Sequence, residues 1–181
     1  PARGRSARHC RSAPAHGFRR PAAACDARKD FAVAITIQAS GDARLDAPRP
    51  YALSLSHKHI PEMMTHTGLA TAPLFMPIVG PFYKGLTVSV PLHRSQLGAS
   101  VGATELHAAL TQRYAGERFV RVMPLRDPGT LEGGFFDVQG CNDTNRVDLF
   151  VFASDTQVLL MARLDNLGKG ASGAAVQSLN L

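Results

Sequence analysis

Alternating hydrophobic and polar positions predict several β-strands after residue 50. From Leu86 to Leu92 apolar side chains occupy every second position, the pattern of a strand with one buried face. Arg146 to Phe152 and Gln157 to Leu164 flank the turn-forming sequence Ala-Ser-Asp-Thr, which indicates an antiparallel hairpin. Phe119 to Met123 is a further β-rich run. The sheet is therefore predicted to be largely antiparallel.

Hydrophobic residues at helical spacing predict helices packed against this sheet. Leu106, Leu110 and Tyr114 recur at intervals of four, and Thr104 precedes them as a candidate N-cap. A final helix is predicted from about Ala171 to the end of the chain, with small residues that permit close packing. Strands and helices together indicate an α+β fold with a mixed, mostly antiparallel sheet.

Residues 1 to 44 do not show this regularity. They are rich in Ala, Arg and Pro and show neither helical nor strand periodicity before the short apolar run Phe31 to Ile37. Arg-rich, acid-poor character would suggest an organellar transit peptide, but the segment contains Asp26 and Asp30 and little Ser. We therefore predict an irregular basic segment over residues 1–44 and a folded domain from residue 45 onward.

The positive charge of the chain is confined to its N-terminal part. The formal net charge is +6, yet residues 51 to 181 carry equal numbers of basic and acidic side chains. The basic segment has a single aromatic residue, Phe18, before Phe31 and no recognisable nucleic-acid-binding motif, so a nucleic-acid partner is not predicted. No apolar stretch approaches the roughly 18 residues of a membrane helix. Three cysteines without regular spacing indicate inert thiols in a reducing cytoplasm.

The densest candidate chemistry lies between Tyr51 and Glu62, where a phenol, two imidazoles and a carboxylate occur within twelve positions. Pro61 is predicted at the first helical position, which places His59 just before the helix and Glu62 in its first turn. Imidazoles beside a carboxylate are typical of general acid–base catalysis, because the carboxylate can orient a ring and set its protonation. We therefore expect His57 and His59 to be catalytic.

Two other groups of residues resemble known binding motifs, one for a metal and one for a dinucleotide, but each lacks parts of its motif. His-x-His with the nearby Glu62 and His66 resembles a metal ligand set, but the remaining ligands are hard to find, and no metal is predicted. Residues 168–173 satisfy Gly-x-Gly-x-x-Gly, yet no second strand and no acidic residue follow them, as a dinucleotide fold requires. Close helix packing is the favoured explanation, although backbone amides there could still meet a cofactor.

The chain resembles the N-acetyl-γ-glutamyl-phosphate reductase family, in its shorter sequence type, over roughly Pro50 to Leu181. The resemblance rests on an ordered series of segments rather than on one motif. These segments are His57-Lys58-His59-Ile60-Pro61-Glu62, Pro73 to Val79, Tyr83-Lys84-Gly85-Leu86-Thr87-Val88, Gly140 to Asn145, and Leu164 to Gln177.

The resemblance implies the fold of the C-terminal domain of glyceraldehyde-3-phosphate dehydrogenase, with helices on one face of the sheet. It also implies NADPH-dependent reduction of N-acetylglutamyl phosphate in arginine biosynthesis and a homo-oligomer. If the chain is organised like this family, residues 45–164 form the substrate-binding and catalytic domain, and residues 165–181 form a helix that packs on an NADP domain.

The resemblance further assigns roles to individual residues. His57 or His59 activates a cysteine nucleophile and protonates the departing oxygen. Substrate-binding residues are Tyr51, Glu62, Lys58 and Lys84, and cofactor-binding residues are Asn166 and Gly170. The two lysines are expected to contact an anion, and the last two residues are expected to approach the nicotinamide.

The N-terminal segment departs from the family. The upstream NADP-binding domain and Asn-Pro-Gly-Cys nucleophile motif are not found in residues 1–44, and neither Cys10 nor Cys25 takes the nucleophile's place. We therefore expect an incomplete reductase without turnover, and hypothesise that this segment is disordered or translated out of frame. Alternatives are a related semialdehyde dehydrogenase, a lysine-pathway homologue, or a non-catalytic oligomerisation module with a basic tail.

Overall fold

The computed structural model describes residues 31–37, 47–98, 101–125 and 131–181, with the backbone alone for 31–37. The strands are β1 (Phe31–Ile37), β2 (Arg49–Pro50), β3 (Leu74–Phe75), β4 (Ile78–Gly80), β5 (Leu86–His93), β6 (Val120–Val122), β7 (Leu131–Glu132), β8 (Phe135–Phe136), β9 (Val147–Ala153) and β10 (Gln157–Leu164). The helices are α1 (His59–Thr67), α2 (Ala103–Arg113) and α3 (Gly173–Leu179). The predictions for Cys10, Cys25 and the rest of residues 1–30 fall outside these ranges.

The described strands form one eight-stranded sheet and the small hairpin β7–β8. The order across the large sheet is β2-β4-β1-β5-β10-β9-β6, with β3 paired to β1. Pairing is parallel for β1 with β3 and β4 and for β6 with β9, and antiparallel elsewhere. The predicted α+β class and the largely antiparallel mixed sheet are confirmed.

The longest pairings of the sheet join the predicted hairpin, β9–β10, to the neighbouring strand β5. β10 pairs along its whole length with β5, from Gln157 opposite His93 to Leu164 opposite Leu86. The turn between β9 and β10 is closed by a hydrogen bond from the Ser154 N–H to the Gln157 carbonyl oxygen, at 2.9 Å. This hairpin was predicted from the two strand-like runs that flank turn-forming residues, and the structure confirms it.

β1 lies inside the sheet, between β4 and β5. It precedes the domain boundary predicted at residue 45, so the sheet extends further toward the N-terminus than the sequence pattern indicated. A continuous apolar run of this length is compatible with a central strand, but periodicity alone does not separate it from other buried segments.

The two faces of the sheet carry different side chains. On one face Phe75, which is 6% exposed, packs with Ile60 and Met63 of α1 and with Val88 of β5. The register places a polar row on the opposite face, across β5, β10, β9 and β6: Thr87, Arg163, Asp148 and Arg121. The apolar face therefore packs against α1, the helix that begins at His59.

The predicted stripe of α2 is confirmed, since Leu106, Leu110 and Tyr114 are all partly buried. Its predicted N-cap is wrong: the cap is Gly102, whose N–H donates to the Glu105 carboxylate at 2.8 Å. A glutamate at the third helical position can satisfy a terminal donor in this way. No helix within the described ranges is long and apolar enough to cross a bilayer.

Candidate functional site

The two predicted imidazoles lie in contact. The ring centroids of His57 and His59 are 4.7 Å apart with an edge-to-face orientation. Both rings rest on the core residue Phe75, with centroid distances of 5.0 Å for His57 and 6.1 Å for His59. His57 is partly buried and His59 is exposed. Phe75 therefore supports both imidazole rings from the core side, and the pair faces outward.

A strained turn holds Tyr51 beside this pair. The Tyr51 ring lies 6.0 Å from the His57 ring, and the Tyr51 N–H donates to the Pro77 carbonyl oxygen at 3.0 Å. Ala52 and Leu55 both adopt positive φ, at 53° and 57°, which is uncommon for residues with a side chain. Such strain persists where surrounding structure fixes it and clusters at functional sites. The turn thus brings three predicted site residues together.

The start of α1 differs from the prediction. His59 is the first helical residue and Pro61 the third, rather than the first. Proline is tolerated at either position, because the first N–H groups of a helix have no partner within it. Glu62 follows His59 by three positions, so both side chains project from neighbouring positions of one helix surface.

Lys58 and Glu62 are exposed, and within the described ranges the side chain of neither takes part in a hydrogen bond or ion pair. Both flank the imidazole pair along the chain. Their charges are therefore available to a ligand, and their predicted substrate-binding roles stay predictions.

Lys84 is engaged by carboxylates. Its ammonium group donates to Asp143 and lies 3.7 Å from the Asp165 carboxylate. The hydrogen bond to Asp143 raises the pKa of Lys84 against the opposing effect of burial. An anionic ligand would have to compete with two carboxylates, so the geometry favours a structural role over the predicted anion contact.

Asp165 organises the segment that carries Asn166. It is 2% exposed and accepts the backbone N–H groups of Asp143, Leu167 and Gly168 at 2.8 to 3.0 Å. Burial would raise the pKa of this carboxyl group, but these hydrogen bonds and Lys84 outweigh burial and lower the pKa. Asp165 was not among the predicted site residues, although it lies within the segment Leu164 to Gln177 that carries the family resemblance.

Asn166 and Gly170, the predicted cofactor contacts, follow that turn. The Asn166 side-chain oxygen accepts the Gly85 N–H at 2.8 Å, which leaves its amide N–H groups as donors. The Gly170 N–H donates to the Asp165 carbonyl oxygen at 2.8 Å. Since the N–H groups of Leu167 and Gly168 are also occupied, this segment does not form a phosphate cradle for a dinucleotide.

The glycines of residues 168–173 serve close packing. Residues Gly168–Ser172 form a π-helical turn that leads directly into α3. The α-helix begins at Gly173, two residues later than predicted. A Cβ atom added at Gly173 would collide with the Asn145 side-chain oxygen and lie 2.8 Å from the Gly168 carbonyl oxygen. The packing explanation of the Gly-x-Gly-x-x-Gly pattern is thus the one that the contacts support.

Gly173→Ala is expected to lower the free energy of unfolding by about 1–3 kcal/mol, because overpacking here meets backbone as well as a side chain. Urea unfolding followed by circular dichroism measures the effect. Gly98→Ala is the matched control, since its new Cβ would meet only Val101 at an ordinary 3.5 Å. Equal stability of the two variants would contradict the tight contact.

A second polar cluster lies on the opposite face of the sheet. Asp148 is fully buried and binds three guanidinium groups, those of Arg121, Arg146 and Arg163. The thiol of Cys141 is also fully buried, and burial raises its pKa, so it is unsuited to act as a nucleophile. This cluster was not predicted from the sequence, because Arg121 and Arg163 reach Asp148 from the two strands that flank β9.

Comparison with known proteins gives consistent similarities. The family model described as semialdehyde dehydrogenase, dimerisation domain, matches residues 34–166. An N-acetyl-gamma-glutamyl-phosphate reductase 2 of Nostoc sp. is 51% identical over 134 residues, covering 72% of this chain and 42% of the relative. A Burkholderia ambifaria N-acetyl-gamma-glutamyl-phosphate reductase is 46% identical over 146 residues, covering 80% of this chain and 46% of the relative.

A solved structure shows the same fold at low sequence identity. Aspartate semialdehyde dehydrogenase II from Vibrio cholerae superposes with a TM-score of 0.57 at 13% identity, covering 84% of this chain and 54% of that one. The chain spans less than half the length of the two reductases it matches.

Proposed function

Because the chain belongs to the semialdehyde dehydrogenase dimerisation-domain family, we propose that it is the substrate-side half of an N-acetyl-γ-glutamyl-phosphate reductase. The proposed reaction is the NADPH-dependent reduction of N-acetylglutamyl 5-phosphate to N-acetylglutamate 5-semialdehyde, a step of arginine biosynthesis. The identities of 51% and 46% to reductases of that name support the choice of substrate. The observation that carries the proposal is the outward-facing pair of imidazoles on Phe75.

In the proposed reaction, a thiolate attacks the acyl carbon and phosphate leaves with the electrons of the broken C–O bond. NADPH, when bound, supplies the hydride that reduces the acyl group. The described residues hold neither a suitable thiol nor a dinucleotide cradle, so both belong to other parts of the protein. This chain's own contribution is to bind and orient the acyl phosphate and to handle protons through His57 and His59.

Residues that flank the imidazole pair are proposed to complete the substrate-binding site. Lys58 is exposed and lies between the two histidines in the sequence, and its proposed role is to bind the phosphate group as a point charge. Glu62 lies on the His59 side of α1, and Tyr51 lies on the His57 side. Lys84 holds the Asp165 turn, which in turn fixes Asn166.

Binding of N-acetylglutamate 5-semialdehyde by the 181-residue chain tests this proposal. Titration followed by NMR is expected to shift the ring signals of Tyr51, His57 and His59, and His57→Ala is expected to weaken binding. His66→Ala is the matched control, because this exposed histidine lies in the last turn of the same helix. Binding that is unchanged in His57→Ala, or no binding at all, would remove the proposed site.

We further propose that the chain associates with a second copy through the sheet face opposite α1. The family model's description as a dimerisation domain supports self-association. On that face Leu159 and Met161 remain only partly buried between their strand neighbours, and Met161 lies opposite Phe150 and Ser89. An apolar surface at the centre of a sheet is suited to a symmetric interface.

Met161→Glu is therefore expected to convert a dimer into a monomer, because a buried, unpaired carboxylate opposes association. Sedimentation velocity of the purified chain measures the oligomeric state. Gln157→Glu, which adds a charge at an exposed position on the same strand and face, is the control and should remain dimeric. A dimer that persists in Met161→Glu would place the interface elsewhere.

A further inference from the structure

His57 satisfies the first N–H groups of α1. The N–H of His59 donates to the His57 ring nitrogen Nδ1 at 3.2 Å, and the N–H of Ile60 donates to the His57 carbonyl oxygen at 3.0 Å. Pro61, the next residue, has no N–H. The three leading positions of the helix thus leave no donor unsatisfied, and the order His-x-His-Ile-Pro accounts for this arrangement.

The hydrogen bond at Nδ1 determines which ring nitrogen carries the proton. A neutral imidazole has one protonated nitrogen and one with a free lone pair. Because Nδ1 of His57 accepts an N–H, its lone pair is used and the proton must reside on Nε2. A proton on Nδ1 would point at the His59 N–H and break this bond. His57 therefore presents a donor, Nε2–H, and no free lone pair.

Packing keeps the His57 ring in this orientation. The ring is in contact distance of three others: Phe75 at 5.0 Å, His59 at 4.7 Å and Tyr51 at 6.0 Å between centroids. His59 differs, since it is exposed and within the described ranges neither of its ring nitrogens has a hydrogen bond. The two histidines of the pair are thus chemically distinct.

We infer that His57 is a neutral hydrogen-bond donor to the substrate's acyl oxygen and that His59 is the ring that exchanges protons. The inference rests on the proposed function, in which the acyl carbon becomes tetrahedral and its oxygen gains negative charge. A fixed Nε2–H aimed at that oxygen stabilises the charge without giving up its proton. His59 takes the proton of the attacking thiol through its free lone pair and passes it to water.

The ring tautomer of His57 tests the inference directly in the 181-residue chain. Long-range ¹H–¹⁵N spectra of histidine-labelled protein at about pH 9, where imidazoles are neutral, are expected to show a protonated Nε2 and an unprotonated Nδ1 for His57. His59→Ala, which keeps the backbone N–H and removes the ring, should leave this tautomer unchanged. A proton on Nδ1 of His57 in either protein would overturn the inference.

A stability measurement tests the hydrogen bond at Nδ1 of His57 independently. Asn can accept the His59 N–H with its side-chain oxygen as Nδ1 does, whereas Ala cannot. Both substitutions remove the ring contacts of His57, so His57→Asn should have a higher melting temperature than His57→Ala because it alone keeps the acceptor. Equal melting temperatures for these two variants would contradict the capping role of Nδ1.

Neither measurement needs turnover or ligand. If the chain fails to bind N-acetylglutamate 5-semialdehyde while His57 shows the Nε2–H tautomer, the proposed function is lost and the hydrogen bond stands. If binding is intact but Nδ1 carries the proton, only the division of roles between the two histidines is lost.

Discussion

Replacing Asp148 by alanine is expected to lower the free energy of unfolding by about 3–5 kcal/mol, the cost of removing one partner from a buried ion pair. Asp148 is 0% exposed. It accepts two hydrogen bonds from Arg121 at 2.8 Å, one from Arg146 at 2.9 Å and one from Arg163 at 3.2 Å. Without it, three guanidinium groups would face each other, and Arg163 would keep only the weaker ion pair with Asp137 at 3.9 Å.

Acid should weaken the same cluster. Burial would raise the pKa of Asp148, but hydrogen bonds from Arg121, the Cys141 thiol and Arg163 outweigh burial and lower the pKa to about 2, from an ordinary 3.8. Because the folded-state pKa lies below the unfolded value, the stabilisation is fully present above about pH 4 and is lost as the pH falls toward about 2.

Urea unfolding of the parent chain, Asp148→Ala and Asp148→Asn between pH 7 and pH 2 checks both statements. Asp148→Asn retains the shape and removes the titrating group, so its stability should depend less on pH in the acid range. Asp155→Ala is the control, since Asp155 is exposed in the β9–β10 turn and its loss should cost within about 0.5 kcal/mol. An Asp148→Ala variant as stable as this control would refute the role of the cluster.

Phe75→Ala is expected to be nearly as damaging, with a loss of about 3–5 kcal/mol for a buried aromatic side chain. The ring packs with Ile60, Met63 and Val88, and it also supports both imidazoles. Its removal should therefore destabilise the domain and release the rings of His57 and His59 from their fixed orientation.

Denaturation and histidine NMR spectra of the same variant separate these two effects. Phe135→Ala is the matched control, because Phe135 is 79% exposed and its loss should change stability by about 0.5 kcal/mol or less. If Phe75→Ala lowers stability while the His57 and His59 signals stay unchanged, the aromatic support of the pair is disproved.

Elements with strong local periodicity were predictable from sequence. The β9–β10 hairpin follows from two strand-like runs around a turn-forming sequence, and the α2 stripe follows from a spacing of four; the structure has both. β1 was visible only as an apolar run, because its place between β4 and β5 depends on partners more than 40 residues away. The π-helical turn before α3 depends on the Asp165 carboxylate and its distant donor at Asp143, which no local pattern reveals.

The candidate site likewise contains contacts that are local in the sequence and contacts that form only in the folded sheet. His57 and His59 are two positions apart, and their proximity follows from the chain itself. Phe75 beneath them was not predicted, because sheet pairing brings it there. Lys84 was predicted as an anion contact, but it meets Asp143, which lies 59 positions later in the chain. The sequence therefore identified groups that lie close together along the chain and did not reveal the contacts that form across the sheet.

A chimeric enzyme tests the central claim most directly, namely that the His57–His59 pair forms the substrate wall of a reductase. In the Nostoc sp. reductase, the 134-residue stretch that is 51% identical would be replaced by the corresponding stretch of this chain. The chimera is predicted to reduce N-acetylglutamyl phosphate with NADPH, and His57→Ala in that chimera is predicted to reduce kcat/KM by at least about 100-fold. A folded chimera without activity, or full activity in its His57→Ala variant, would contradict the account.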